Sequence, residues 1–269
     1  MTAIHADAFE VTRYSLCDHI ATITLDRPHR RNALNPRAYA ELEAAFLHVQ
    51  SDADVRCVIV TGAGGSFCSG EDVVEMLTGK GPAKSVAAPR VRMPATPAAI
   101  AALACDRPVI AAVSGAAVGW GMELALFADI RIAADTAKFA ELFIKRGLIS
   151  DLGGLLRLPA IVGPAKAAEL LFTGDVIDAA EALRIGLVSK MVAADDLMAE
   201  ANALAARIAA NPPLALRYMK EGLRRTSYGD PHEIGGWAIE TIYKLMATED
   251  HREGVASFTE KRAPRFSGR

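Results

Sequence analysis

Val109-Ile110-Ala111-Ala112-Val113 runs into Ser114-Gly115-Ala116-Ala117-Val118-Gly119-Trp120-Gly121 and then into Met122-Glu123-Leu124-Ala125-Leu126-Phe127. A β-branched apolar run, a small-residue loop and an apolar helix start follow one another, which spells strand, loop and helix. A second join of this kind spans Cys57–Met76, with the loop Gly62-Ala63-Gly64-Gly65-Ser66-Phe67-Cys68-Ser69-Gly70-Glu71-Asp72. Small residues at such joins let a ligand oxygen approach backbone N–H groups. The helix start adds unpaired donors at the positive end of its dipole. Two of these joins side by side would make a two-donor hole for an oxyanion.

Outward from these joins, Phe9–Tyr14 and His19–Leu25 read as paired strands around a polar turn at Ser15–Asp18. Asn35-Pro36 starts a helix, cap residue then proline, that runs to about Gln50 with Leu42, Ala45, Phe46 and Val49 on one face. Val55–Val60, Val109–Val113 and Asp129–Ala134 are short strands of the kind buried on both sides. Leu77–Pro97 mixes Gly, Pro, Ala and basic residues without a period and reads as a loop or irregular helix. Phe139–Gly154 is irregular. Helices are expected at Lys166–Phe172, Ala179–Ile185, Asp195–Ala210, Pro213–Thr226 and Pro231–Met246. Strands come first and helices last, so the fold class is α/β with a helical C-terminal region, divided at 1–194 and 195–269.

The chain has 269 residues, enough for a full core, and its formal net charge of −2 leaves no electrostatic footprint for nucleic acid. Cys17, Cys57, Cys68 and Cys105 show no CxxC spacing and read as reduced thiols. No basic head followed by an apolar core opens the chain, so a cytoplasmic location is expected. Pro108–Ala128 carries one charge, Glu123, yet its glycines and strand-like start fit a buried strand, loop and helix better than a membrane span. The histidines (His5, His19, His29, His48, His232 and His251) lie away from the apolar motifs, and no Cys/His cluster suggests a metal. Gly119-Trp120-Gly121 lacks the third glycine of a dinucleotide fingerprint, and neither Ser69 nor Ser114 has the GxSxG context of a hydrolase nucleophile.

Glu123 is the sharpest single residue. A carboxylate in an otherwise apolar helix start must be paired, neutral or functional, because burying it alone costs on the order of several kcal/mol. It could also simply favour the helix dipole. Asp151, in Ile149-Ser150-Asp151-Leu152-Gly153-Gly154, could cap the turn at the two glycines.

The whole set of motifs resembles the crotonase (enoyl-CoA hydratase/isomerase) superfamily. The resemblance runs from about Ile20 to Phe266. It rests on Leu25-Asp26-Arg27-Pro28, Arg31-Asn32-Ala33-Leu34, Ser66 to Asp72, Ser114 to Leu126, Leu171-Phe172-Thr173-Gly174, Gly186-Leu187-Val188 and Arg252 to Arg262, in family order. It implies a spiral of ββα turns with a helical oligomerisation region, an acyl-CoA thioester as substrate, no cofactor beyond the substrate's own coenzyme A, and a homotrimer or dimer of trimers. The apolar helices Asp195–Ala210 and Pro231–Met246 would supply the surface for that assembly.

By the same resemblance, the backbone N–H groups of Ser69 and Trp120 form the oxyanion hole. Tryptophan is a departure from the usual glycine, and its indole could narrow the acyl pocket or fill the core. Glu123 matches one of the two hydratase glutamates. Phe143 stands at the position of the other, with Glu141 two residues earlier and not required to point the same way. Asp151 matches an acid that shuttles protons in some isomerising relatives. Coenzyme A contacts are implied for Phe67, Ser69, Gly70, Glu71, Asp72 and Gly119, for the basic cluster Arg27, His29, Arg30 and Arg31, and for Phe258 and Lys261. The expectation is an enoyl-CoA isomerase or hydratase with isomerisation favoured. The alternatives are a hydratase of fatty-acid or aromatic-acid degradation, or an acyl-CoA-binding protein that has lost activity.

Overall fold

The computed structural model describes residues 8–72, 75, 96–226, 240–242 and 244–269, the side chains at 258 and 259 aside. β1 (Thr12–Cys17) and β2 (Ile20–Leu25) form an antiparallel hairpin in which Cys17 opposes Ile20. The strands therefore extend to a two-residue turn at Asp18-His19, and the polar turn expected at Ser15–Asp18 is mostly strand. Both turn residues have positive φ, 48° and 65°, as a hairpin turn that matches strand twist requires.

β3 (Cys57–Gly62) begins two residues later than the sequence suggests, whereas β4 (Val109–Val113) falls where expected. After β5 (Ala116–Val118) come β6 (Ile130–Ala134), β7 (Lys138–Ala140), β8 (Ile177–Asp178) and β9 (Lys190–Val192). The large sheet has the order β1-β2-β3-β4-β6-β9 and is parallel from β2 onward; β5, β7 and β8 form a small second sheet. Two successive turns of the spiral send one strand to the large sheet and a short one to the small sheet, β4 then β5 and β6 then β7. The segment 114–121 is thus not all loop, because its centre pairs with β7 as β5.

The central strands of the large sheet are buried on both faces, and side-chain alternation sorts their residues between them. Ile23, Val58, Val60, Ala111, Val113 and Ala133 belong to one core, with Leu42, Ala45, Phe46 and Val49 of helix α1 (Pro36–Ser51) packed among them. The Asn35 side chain caps that helix by accepting from the Ala38 N–H at 3.0 Å. Cys57, Ile59, Ile110, Ala112, Ile132 and Ala134 face the opposite way. They meet the Leu197–Ala209 helix through Leu197, Ala201, Ala205 and Ala209, a stripe of small residues that lets the helix lie close on the sheet. This helix, expected to serve assembly, spends its apolar face within its own chain. The expected irregular segment at 77–97 lies outside the described residues up to 95; Pro97 opens the Pro97–Ala104 helix. Of the expected 231–246 helix, 231–239 and 243 lie outside them.

Candidate active site

The two joins lie side by side because their backbones are zipped together. The Phe67 N–H donates to the Ser114 carbonyl at 2.7 Å, Cys68 to Ala116 at 2.7 Å, and Val118 back to Cys68 at 3.1 Å. The small residues serve this approach. A Cβ on Gly121 would lie 2.8 Å from the Cys68 carbonyl carbon, and one on Gly70, whose φ is +89°, would lie 2.8 Å from the Val118 oxygen. Phe67 itself is fully buried.

The two expected oxyanion donors differ. Trp120 is the first residue of the Trp120–Phe127 helix, and its N–H donates to no backbone carbonyl among the described residues. The Ser69 N–H, in contrast, donates to the Arg31 carbonyl at 3.0 Å. Arg31 and Asn32 both take left-handed backbone, φ 50° and 56°, which turns this carbonyl back onto the Ser69 segment. One donor is open and the other is engaged.

Gly119 has φ +53° and donates its N–H to Ala140 at 2.8 Å, tying the helix start to β7. The indole of Trp120 is buried edge-to-face between Tyr39, centroids 4.8 Å apart, and Phe127, at 5.8 Å. It also lines a narrow cleft of about 50 Å3 with Ser69, Gly70, Glu71, Gly119, Leu142, Phe143, Arg146 and Leu148. Core packing and a narrowed pocket are therefore both properties of Trp120. The Tyr39 hydroxyl donates to Glu71 at 3.3 Å beside this cleft.

Glu123 is fully buried. Its carboxylate accepts the N–H groups of Asp151 at 3.0 Å, of Gly153, and of Gly154 at 3.2 Å, all from the turn that opens the Gly153–Arg157 helical segment. Burial pushes its pKa up to about 7; the three N–H bonds pull against burial, and the Asp151 charge adds to it. The value suits a group that exchanges protons near neutral pH. Asp151 is half-buried. One of its oxygens accepts from the Leu152 N–H at 2.9 Å, the local bond of a turn cap, and the other from the Thr96 hydroxyl at 3.0 Å. Asp151 thus closes the turn with its side chain and holds Glu123 with its backbone N–H.

Glu141, whose direction the sequence left open, lies beside Glu123. It is 1% exposed, accepts from the Ser150 hydroxyl at 3.1 Å, and is close enough to Glu123 for their charges to act on each other. Burial first, and then the Glu123 charge, pushes its pKa up to about 9. The signal was present in Phe139-Ala140-Glu141-Leu142-Phe143, a lone carboxylate in an apolar run, the same pattern that singled out Glu123. Tyr39 and Thr96 carried no comparable signal.

The basic cluster divides. Arg27 is buried, pairing with Asp72 at 3.2 Å and Glu75 at 2.9 Å, so its guanidinium is not open to a phosphate. His29 and Arg30 are exposed on the turn Pro28–Arg30, and Arg31 follows it. Phe258 lies in the Glu249–Glu260 helix with its side chain outside the described residues. Lys261 follows exposed, in left-handed backbone at φ 54°. Among the described residues no cluster of metal-ligating side chains occurs, and no helix is long and apolar enough to cross a membrane.

Comparison with known proteins places this geometry in context. The family described as "Enoyl-CoA hydratase/isomerase" matches residues 17–269. A carnitinyl-CoA dehydratase of Citrobacter koseri is 39% identical over 259 residues, covering 93% of this chain and 95% of that protein. A crotonyl-CoA hydratase of Syntrophomonas wolfei is 37% identical over 253 residues with the same coverage. The crystal structure of an enoyl-CoA hydratase from Bacillus anthracis superimposes with a TM-score of 0.89 at 32% identity, covering 97% of this chain and 100% of that one.

Proposed function

Because the chain belongs to the enoyl-CoA hydratase/isomerase family of enzymes, which act on acyl-CoA thioesters, we propose that Glu123 and Asp151 carry protons for an enolate reaction of such a thioester, with double-bond isomerisation exceeding water addition. The observation that carries this reading is the Glu123 carboxylate, buried with its proton affinity raised towards neutrality, and joined through the Asp151 N–H to the next acid along the wall. As a carboxylate, Glu123 removes a proton α or γ to the thioester; Asp151 and Glu123 then return it at the other end of the allyl system. The enolate oxygen lies at the Trp120 N–H and takes the Ser69 N–H from the Arg31 carbonyl. Donors of this kind are worth ~2.7–4 kcal/mol each in a transition state. Phe143, Leu142, Leu148 and Trp120 supply apolar side chains to a cleft that Glu71 and Arg146 also line, and that apolar side disfavours a nucleophilic water.

Hydration is the second reading, favoured by one observation: Glu141 provides a buried acid beside Glu123, so a base for water and a proton donor for the substrate's α-carbon are both at hand. A spectrophotometric screen of enoyl-CoA and dienoyl-CoA substrates separates the two. With the substrate so identified, Glu123→Gln and Asp151→Asn should each slow turnover by ~10²–10⁴-fold while coenzyme A ester binding persists. Efficient hydration of crotonyl-CoA by the wild type, unchanged in Asp151→Asn, would refute the isomerase reading.

The same reading includes coenzyme A contacts from the exposed His29, Arg30 and Lys261, a cytoplasmic location, and a homotrimer or dimer of trimers. Support for assembly comes from exposed apolar side chains around the Leu142–Arg146 turn and the Pro164–Thr173 helix, notably Ile149 at 80% and Phe172 at 76% exposure, with Ile144, Leu148 and Val176.

A further inference from the structure

Glu141 sits between β7 and the Leu142–Arg146 turn with one oxygen on the Ser150 hydroxyl. The other, Oε1, is buried without a hydrogen-bond partner among the described residues. Glu123 faces it from the Trp120–Phe127 helix, and Asp151 faces Glu123 from the turn that follows Ser150. Of the cations on the adjoining turns, Arg157 donates to the Leu126 carbonyl, and Lys145 and Arg146 are exposed. No cation pairs with Glu123 or Glu141 among the described residues. An ionised Glu141 would be an unpaired buried charge. Glu123, by contrast, has three backbone N–H groups aimed at its oxygens. When the two carboxyls share one negative charge, the N–H cradle draws it to Glu123 and leaves the proton on Glu141.

We propose that Glu141 is the neutral carboxylic acid of the catalytic wall, a positioning residue that leaves the negative charge to Glu123 alone and suppresses turnover once it ionises as well. The inference rests on Glu123 as the proton carrier, whichever double-bond reaction it serves. A second negative charge beside a developing enolate raises the barrier to forming it, so the pair works while it holds a single proton. Turnover then rises as Glu123 loses its proton and falls in the alkaline range as Glu141 loses its own.

The test is the pH dependence of kcat for the full chain on the acyl-CoA it turns over, together with infrared spectra of the carboxyl carbonyl stretch near pH 8, above the pKa of Glu123 and below that of Glu141. The wild type should show a protonated-carboxyl band and an alkaline descending limb, and Glu141→Gln should lose both. Ser150→Ala should keep the band and move the limb upward by roughly half to one pH unit, because its hydroxyl stabilises the ionised form. A merely structural role would move neither. A band or limb that survives in Glu141→Gln overturns the proposal; if that variant does not fold, an unmoved limb in Ser150→Ala overturns it. Undiminished turnover in Glu123→Gln would instead refute the assignment of Glu123, a separate outcome because the Glu141 band does not depend on activity.

Discussion

Gly153→Ala probes the Glu123 cradle without touching a charged residue. The Gly153 backbone is free of positive φ, so alanine strains nothing locally. Its Cβ, however, would lie 3.0 Å from the Glu123 Cα and 3.1 Å from its Cδ, and closer still to Oε2. The first of these atoms belongs to the backbone, so rotating the glutamate side chain cannot relieve the clash; the turn and the helix must separate. Overpacking of this sort costs about 1–3 kcal/mol, a fall in Tm of several degrees for a chain of this size. Separation also lengthens the N–H bonds that hold the carboxylate, and a misplaced proton carrier forfeits the ~10²–10⁴-fold of a general base. We therefore expect kcat to fall by at least ~10²-fold while coenzyme A ester binding, which the proposed reading assigns to residues away from Gly153, changes little. Stopped-assay kinetics, titration with a non-reactive acyl-CoA and thermal melts read the three quantities. A variant with wild-type kcat and Tm would show that the Glu123 carboxylate does not lie against Gly153.

Two stability measurements follow from the same site and its flanking ion pair. Glu123 is an acid whose folded pKa, about 7, is raised above its ordinary 4.5, so the folded state favours its neutral form. Its contribution is complete below about pH 4.5, diminishes as pH rises to about 7, and totals about 3 kcal/mol. Urea unfolding of wild type and Glu123→Gln at pH 5 and pH 8 should show the wild type losing that amount relative to the variant; a difference independent of pH would contradict the burial of an ionisable Glu123. Arg27→Ala removes the partner of Asp72 in a pair with both side chains under a tenth exposed, and should destabilise by about 3–5 kcal/mol in urea unfolding. A loss below about 1 kcal/mol would mean that Asp72 finds water instead.

The parts of this protein that were legible in its sequence are those written within a few neighbouring residues. The bounds of β4 follow from a β-branched run between Pro108 and Ser114, and the start of the Pro36–Ser51 helix from Asn35 and the proline beside it. Glu123 declared itself by its apolar neighbours. Tertiary structure alone decided what those residues meet. The cradle of Glu123 comes from residues 28 to 31 positions away, and its shifted pKa is a property of the packing around it. The glycines of the two joins are needed for one loop to lie on the other, an approach that no local pattern specifies. Arg27, read as a coenzyme A contact, is buried in a pairing with Asp72 and Glu75, which lie 45 and 48 residues further along the chain. Glu141 stands just before the 3-10 turn that follows β7, in non-helical backbone at φ −92° and ψ 80°, whereas Phe143 lies inside that turn. The change of backbone conformation between them leaves Phe143 on the cleft and Glu141 buried away from it. Capping and alternation depend on neighbours in the chain, whereas burial and charge pairing depend on neighbours in space, and only folding brings those together.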